Sequence, residues 1–323
     1  MSSLCLGTMT FGDSTGFMKG VTSPDAEARK VLDRSIDAGI DFIDTANMYG
    51  EGNSEKLLGE WLGARRKDLI LATKCRFPMG PSPHEQGLSR RHIIQACEDS
   101  LRRLRTDWID LYQVHMQDSE VEIEETLRAL DDLITAGKIR YSGCSNYTGY
   151  RLTESLWASE AHNLHRFEAV QLQWNLLERG AEREMIPACR AFGLGVMVWS
   201  PLARGMLSGK YRRDMQPPAG SRMGEWKDAW KRINNERTWA LLDTVAAVAK
   251  ELESTPAGVA LAWLLQKKEV TTVILGARDV AQLDDNLAAV KLKLSAEQLT
   301  KLDKASEPAW GYPYDFIAYR EAW

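Results

Sequence analysis

Gly39-Ile40-Asp41-Phe42-Ile43-Asp44-Thr45 lies between two segments of helical periodicity, Asp25 to Ala38 and Ser54 to Ala64. Its central run, Asp41 to Thr45, is short, apolar and β-branched, which predicts a strand set between two helices. The same unit repeats outward from there. Leu4 to Thr8, Leu69 to Lys74, Asp110 to His115, Ile139 to Ser145, Ala169 to Asn175, Gly195 to Pro201 and Thr272 to Ala277 are further runs of this kind, which makes eight in all. Helical spacing fills the gaps, at Arg90 to Leu104, Glu122 to Ala136, Tyr150 to His162, Glu182 to Ala191 and Pro256 to Gln266. Repeated strand-helix units imply a parallel sheet covered outside by helices, and eight of them close into a barrel. The expectation is an α/β fold of the (β/α)8, or TIM-barrel, class, with residues 1–323 as a single domain.

Helix-start chemistry recurs at Ser23-Pro24 and Thr255-Pro256, each pairing a capping hydroxyl with a proline suited to the first helical position. The rhythm breaks over 203–236, where Gly205, Gly209, Pro217, Pro218 and Gly220 predict a loop excursion after strand seven before a helix resumes at Arg237. An aromatic tail, 307–323, lies beyond the last barrel helix. With 44% hydrophobic residues and 27% charged ones, the chain has an ordinary globular composition. A net charge of −4 and a pI near 5.9 argue against a nucleic-acid binder and leave a small molecule as the expected partner. The five cysteines are widely spaced without a CxxC pair, and read as free thiols in a reducing compartment. No basic leader or apolar stretch of ~18 residues is present, so the expectation is a cytoplasmic protein with no membrane partner. The oligomeric state is not legible.

Active sites of such barrels sit where the strands end at their carboxyl side. Strand two ends in Asp44 and leads to Tyr49, strand three ends in Lys74, and strand four ends in His115. Any one of these is most simply a structural ion-pair partner. Together, with a lysine buried in an apolar strand, they suit proton transfer to a carbonyl oxygen while a hydride reaches its carbon. Tyr49 would donate the proton, Lys74 would bring the phenol's pKa down from ~10 toward working pH, Asp44 would hold Lys74, and His115 would orient the carbonyl as a neutral imidazole.

These residues carry a resemblance to the aldo-keto reductases, which extends from Leu6-Gly7-Thr8-Met9 over nearly the whole chain. Gly39 to Ala46, then Tyr49-Gly50, then Asp110-Leu111-Tyr112-Gln113-Val114-His115, is similar to that family's catalytic signature. The resemblance implies a barrel with an extended nicotinamide dinucleotide and no Rossmann domain. Gly7, Thr8, Met9 and Asp44 would border the cofactor, Ser145, Asn146 and Gln171 would hold its carboxamide, and Trp199 would stack on its ring. The loop Ser200-Pro201-Leu202-Ala203-Arg204-Gly205-Met206-Leu207-Ser208-Gly209-Lys210 would close over the pyrophosphate. Gly276, Arg278, Gln282, Asp285 and Asn286 resemble the adenosine end, where Arg222 and Arg278 favour a 2′-phosphate and hence NADPH, with NADH left open. Family members usually begin with a β-hairpin that plugs the bottom of the barrel, whereas this sequence starts almost at strand one, so that either the true start lies upstream or the barrel floor is covered differently.

Two phosphate motifs are decoys. Gly205 to Lys210 is one residue short of a P-loop and continues with Tyr211, and Gly193-Leu194-Gly195 has no third glycine. Only His115 among the five histidines closes a strand, so no metal is expected. The substrate wall should come from Phe11 to Val21, Arg76 to Gly87, Trp226, Trp230 and the tail aromatics Trp310, Tyr312, Tyr314, Phe316 and Tyr319, which suits an aromatic or bulky carbonyl compound. The rival reading is a cofactor-sensing subunit, since the pattern is also similar to the barrel-shaped β subunits of potassium channels.

Overall fold

In the computed structural model, which describes residues 1–16 and 18–319, strands β1 (Leu4–Gly7), β2 (Phe42–Asp44), β3 (Ile70–Cys75), β4 (Ile109–Val114), β5 (Ile139–Ser145), β6 (Phe167–Gln173), β7 (Gly195–Trp199) and β8 (Val270–Leu275) form a closed parallel barrel in sequence order. Leu6 stands opposite Ile43, and Leu4 opposite Val273, so β1 closes the ring against β8. The barrel is jacketed by α1 (Asp25–Asp37), α2 (Asn53–Leu62), α3 (Arg90–Leu104), α4 (Ile123–Thr135), α5 (Gly149–Ala161) and α6 (Met185–Phe192). Two short helices, α7 (Arg222–Glu225) and α8 (Lys227–Ile233), sit in the excursion after β7, followed by α9 (Glu236–Glu251) and α10 (Pro256–Leu265). After β8 come α11 (Val280–Ala288), α12 (Ala296–Ser306) and α13 (Tyr314–Ala318).

Two apolar layers hold this together. Inside the barrel Cys5, Phe42, Ala72, Leu111, Met197 and Ile274 fill the axis, each from a different strand. Outside, the opposite faces of the strands meet the helices in one continuous core. Parallel strands are buried on both faces, so their sequence reads as an unbroken apolar run. The α2–α3 contact is close because a Cβ on Gly59 would stand 2.3 Å from the Arg103 carbonyl oxygen.

Thr255 caps α10 as expected, its hydroxyl accepting from the Gly258 N–H with Pro256 at the first helical position. Ser23-Pro24 departs from expectation. Pro24 itself occupies the cap of α1, and the Ser23 hydroxyl donates instead to the Arg278 carbonyl at 3.1 Å, joining the loops after β1 and β8. At the bottom of the barrel β1 is the first strand, and Ser2 ties in through its N–H to Asp41 Oδ1 at 2.7 Å. All five cysteines are free and buried, and burial pushes the thiols of Cys75, Cys97 and Cys189 up to about 12. Among the described residues no helix is long and apolar enough to cross a membrane.

Candidate functional site

A cleft of about 1220 Å³ opens at the carboxyl ends of the strands. Asp44, Tyr49 and His115 line it, and Lys74 lies directly beneath, fully buried. Lys74 Nζ donates to Asp44 Oδ2 at 2.6 Å, to the Thr45 carbonyl at 2.8 Å and toward the Tyr49 hydroxyl at 3.4 Å. Tyr49 begins a turn in which Gly50, Glu51 and Gly52 all take positive φ (54°, 52° and 93°), a path that glycine makes affordable. That turn swings the phenol back over Lys74.

Burial opposes the Lys74 charge, but Asp44 and the Tyr49 hydroxyl outweigh it and raise its pKa, so the side chain is an ammonium. Tyr49 departs from expectation. Burial raises its pKa, and the nearby Lys74 ammonium only partly offsets this, so the phenol holds its proton and its pKa does not fall toward working pH. Burial, and then the Lys74 charge, depress the His115 pKa far below the ordinary value, which keeps the ring neutral. The rings of Tyr49 and Phe77 meet His115 edge-on, at 5.8 Å and 4.9 Å. His115 Nδ1 is buried without a partner, which leaves Nε2 to face the cleft.

Asp44 Oδ1 accepts twice more, from Gln171 Nε2 at 2.8 Å and Gln113 Nε2 at 3.1 Å. Gln171 Nε2 also donates to Gln113 Oε1 at 3.2 Å. Asn146, with φ of 53°, donates its amide to the His115 carbonyl at 2.8 Å and to Ser145 Oγ at 3.0 Å. Both amides therefore spend their N–H groups on the protein and turn their carbonyl oxygens outward. Trp199 packs against the barrel core with one side on the cleft.

The other arm of the cleft is cationic. Lys210, Arg222 and Arg278 line it together, and among the described residues none has a carboxylate within salt-bridge distance. Burial, and then the neighbouring Arg278 and Arg222, lower the Lys210 pKa; burial and Arg278 do the same to Arg222. Lys210 Nζ would stand 2.9 Å from a Cβ on Gly205, and Arg222 Nη2 would stand 3.9 Å from one on Gly276, so both heads lie over glycine backbone. Like charges crowded without counter-ions make a strong anion site. The loop after β7 that leads to Lys210 is bent through Ser200, Ala203 and Arg204, all at positive φ. Strain of this kind persists where surrounding structure enforces it.

Most of the residues proposed to bind the cofactor line this cleft, from Gly7 and Met9 through Ser145, Asn146, Trp199, Ser200, Pro201, Leu202 and Arg204 to Gly276, Gln282, Asp285 and Asn286. Thr8 and Leu207 do not. Thr8 faces outward, with its hydroxyl 2.8 Å from Ser54 Oγ, and Leu207 is fully buried in the outer core. Trp230 is also core, packed tilted against Tyr211 and edge-on to Trp239, whereas Trp226 lines the cleft. The tail is placed elsewhere too. Tyr314 donates to Glu184 at 2.7 Å, and Tyr312, Phe316 and Tyr319 are exposed, with no described tail residue lining the cleft. Phe17 and 320–323 lie outside the described residues. Gln113, which reasoning from strand ends passed over, sits one inward position before His115. Met48 and Phe77 complete the apolar side. Among the described residues no cluster of His, Cys, Asp and Glu is arranged to hold a metal.

The sequence pattern of the Aldo/keto reductase family matches residues 3–307. An uncharacterized oxidoreductase of Bacillus subtilis is 38% identical over 94% of this chain and 91% of its own length. Norsolorinic acid reductase of Emericella nidulans is 34% identical over 98% of this chain and 81% of its own. A probable voltage-gated potassium channel subunit beta of Arabidopsis thaliana is 34% identical over 90% and 89%.

Proposed function

This chain belongs to the aldo/keto reductase family, an oxidoreductase fold, and we propose that it reduces an aldehyde or ketone to the alcohol with NADPH, reversibly. The observation that carries this reading is the Tyr49 hydroxyl, protonated, 3.4 Å from a buried ammonium and edge-on to a neutral imidazole at the cleft surface. When bound, the nicotinamide supplies a hydride to the carbonyl carbon. Tyr49 gives its proton to the carbonyl oxygen, and Lys74 stabilises the phenolate left behind. His115 Nε2 donates a hydrogen bond to the same oxygen and aligns it with the phenol. Because the ring is neutral, it does so without competing for the proton. The outward carbonyl oxygens of Gln171 and Asn146 suit the amide hydrogens of a carboxamide. Lys210, Arg222 and Arg278 suit phosphate, and three cations exceed what a pyrophosphate between glycine-backed loops requires, which favours the additional 2′-phosphate of NADPH over NADH.

Met48 and Phe77, the latter edge-on to His115, make the cleft apolar beside Tyr49 and His115, and no described tail residue covers it. This supports an aromatic or bulky carbonyl compound as substrate. The test is Tyr49→Phe, assayed with NADPH and an aromatic aldehyde. Reduction should fall by about 10²–10⁴ while tryptophan quenching by NADPH is unchanged. Undiminished turnover would remove Tyr49 as the donor. The similarity to a channel β subunit supports a second reading, a nicotinamide-sensing subunit, which tight NADPH binding by the unaltered protein without turnover would favour.

A further inference from the structure

We infer that Gln113 is a positioning residue of this site, the joint that locks the seat of the nicotinamide carboxamide to the Asp44–Lys74–Tyr49 chain. The inference rests on the reading of Tyr49 as proton donor.

Gln113 lies on β4 with its side chain fully buried, on the inward face shared by Leu111 below it and His115 above. Packing alone does not call for an amide there, since the next inward layer is apolar. A buried amide is costly unless its polar atoms are paired, and both ends of this one are. Its Nε2 donates to Asp44 Oδ1 at 3.1 Å, and its Oε1 accepts from Gln171 Nε2 at 3.2 Å. With Gln171 Nε2 also 2.8 Å from Asp44 Oδ1, two amides and one carboxylate oxygen form a closed triangle.

The triangle has two consequences. Gln171 has one N–H aimed at Asp44 and the other at Gln113, so its NH2 cannot rotate into the cleft and its oxygen cannot rotate out of it. Asp44, in turn, is held on its Oδ1 side by two amides while Oδ2 grips Lys74. A carboxylate anchored on one oxygen cannot swing toward its partner, and the Lys74 ammonium is kept at a fixed distance from the phenol. Gln113 touches neither the expected substrate nor the dinucleotide. It acts through Gln171 and Asp44.

Two variants test this in the full-length protein, with Tyr49→Phe run alongside. Gln113→Met keeps the volume and loses both hydrogen bonds. NADPH should then bind about tenfold more weakly, and discrimination between NADPH and its 3-acetylpyridine analogue, which lacks the amide hydrogens that Gln171 would accept, should shrink. Loss of packing alone would weaken both nucleotides equally.

Gln113→Glu supplies a carboxylic acid that, while protonated, reproduces the triangle by donating to Asp44 and accepting from Gln171. The titratable groups around it are Asp44 from β2, which accepts its amide, Lys74 opposite it on β3 and His115 just beyond the end of β4, with Cys5 and Tyr49 acting on Asp44 and Lys74 behind them. Burial beside the Asp44 carboxylate raises the pKa of the introduced acid. The variant should be most active at low pH and lose kcat as pH rises and the acid ionises against Asp44. That limb should be missing from the unaltered protein and from Gln113→Met. Wild-type nucleotide discrimination in Gln113→Met, or a wild-type pH profile in Gln113→Glu, overturns the inference. Should Gln113→Met fail to fold, the pH limb decides. Should Tyr49→Phe keep its turnover, the donor reading fails, and nucleotide discrimination still decides the role of Gln113.

Discussion

Lys74 and Arg222 are both cations set into the wall of one cleft, and they are treated in opposite ways. Lys74 is fully buried with Asp44 at 2.6 Å and a backbone carbonyl at 2.8 Å. Arg222 has Lys210 and Arg278 for neighbours and, among the described residues, no carboxylate within salt-bridge distance. The mouth of the barrel is thus complete in itself. The cationic arm is complete only when an anion is added. One region has its charge neutralised in place by the protein's own groups, and the other keeps like charges close together, a repulsion that an anion would relieve.

The largest test of this contrast is stability. Asp44→Ala strands an ammonium in the barrel and should cost about 3–5 kcal/mol in urea unfolding. Arg222→Ala, measured without nucleotide, should cost nothing or stabilise, since it removes a like charge. Comparable losses in both variants would dissolve the distinction between the regions. Next in size is affinity. Arg278→Ala should weaken NADPH about tenfold or more while leaving NADH unchanged, with the difference shrinking as salt is added. Equal losses for the two nucleotides would move Arg278 away from the 2′-phosphate.

The smallest effect concerns His115. Its folded pKa lies below the unfolded value, so above about pH 6.5 the ring is neutral in both states and its contribution to stability is complete. As pH falls through that value the unfolded chain takes up a proton that the fold refuses, and stability is lost. Between pH 7.5 and 5.5 this amounts to a loss on the order of 1 kcal/mol. His115→Gln should flatten the urea midpoint over that range by the same amount. An unchanged slope would mean that His115 charges within the fold.

The barrel was legible because parallel strands buried on both faces leave uninterrupted apolar runs, and Asp44, Lys74 and His115 stood out as polar residues closing them. Boundaries slid where a polar residue sits inside a strand. β6 begins at Phe167, two residues before the expected Ala169, because Glu168 breaks the apolar run. Gln113 was missed for the same reason, although the alternation Leu111, Gln113, His115 on one inward face carries the signal that would find it. Resemblance transfers positions and not faces, which is why Thr8 and Leu207 were assigned to the cofactor and proved to point into packing. Composition does not separate a core aromatic from a wall aromatic, so Trp230 and the tail were misplaced while Trp226 was not. The Lys74 effect on Tyr49 was read correctly in sign, but the larger effect of burial depends on depth that a linear sequence does not display.

The buried cysteines have a chemical consequence. A thiol with a pKa near 12, as at Cys75, Cys97 and Cys189, is ionised to an extent on the order of one part in 10⁵ at neutral pH. Soft electrophiles such as enals and quinones are attacked in proteins chiefly by thiolate. All five sulfurs of this chain are buried, with burial raising each thiol's pKa, so such electrophiles neither reach them nor find them charged.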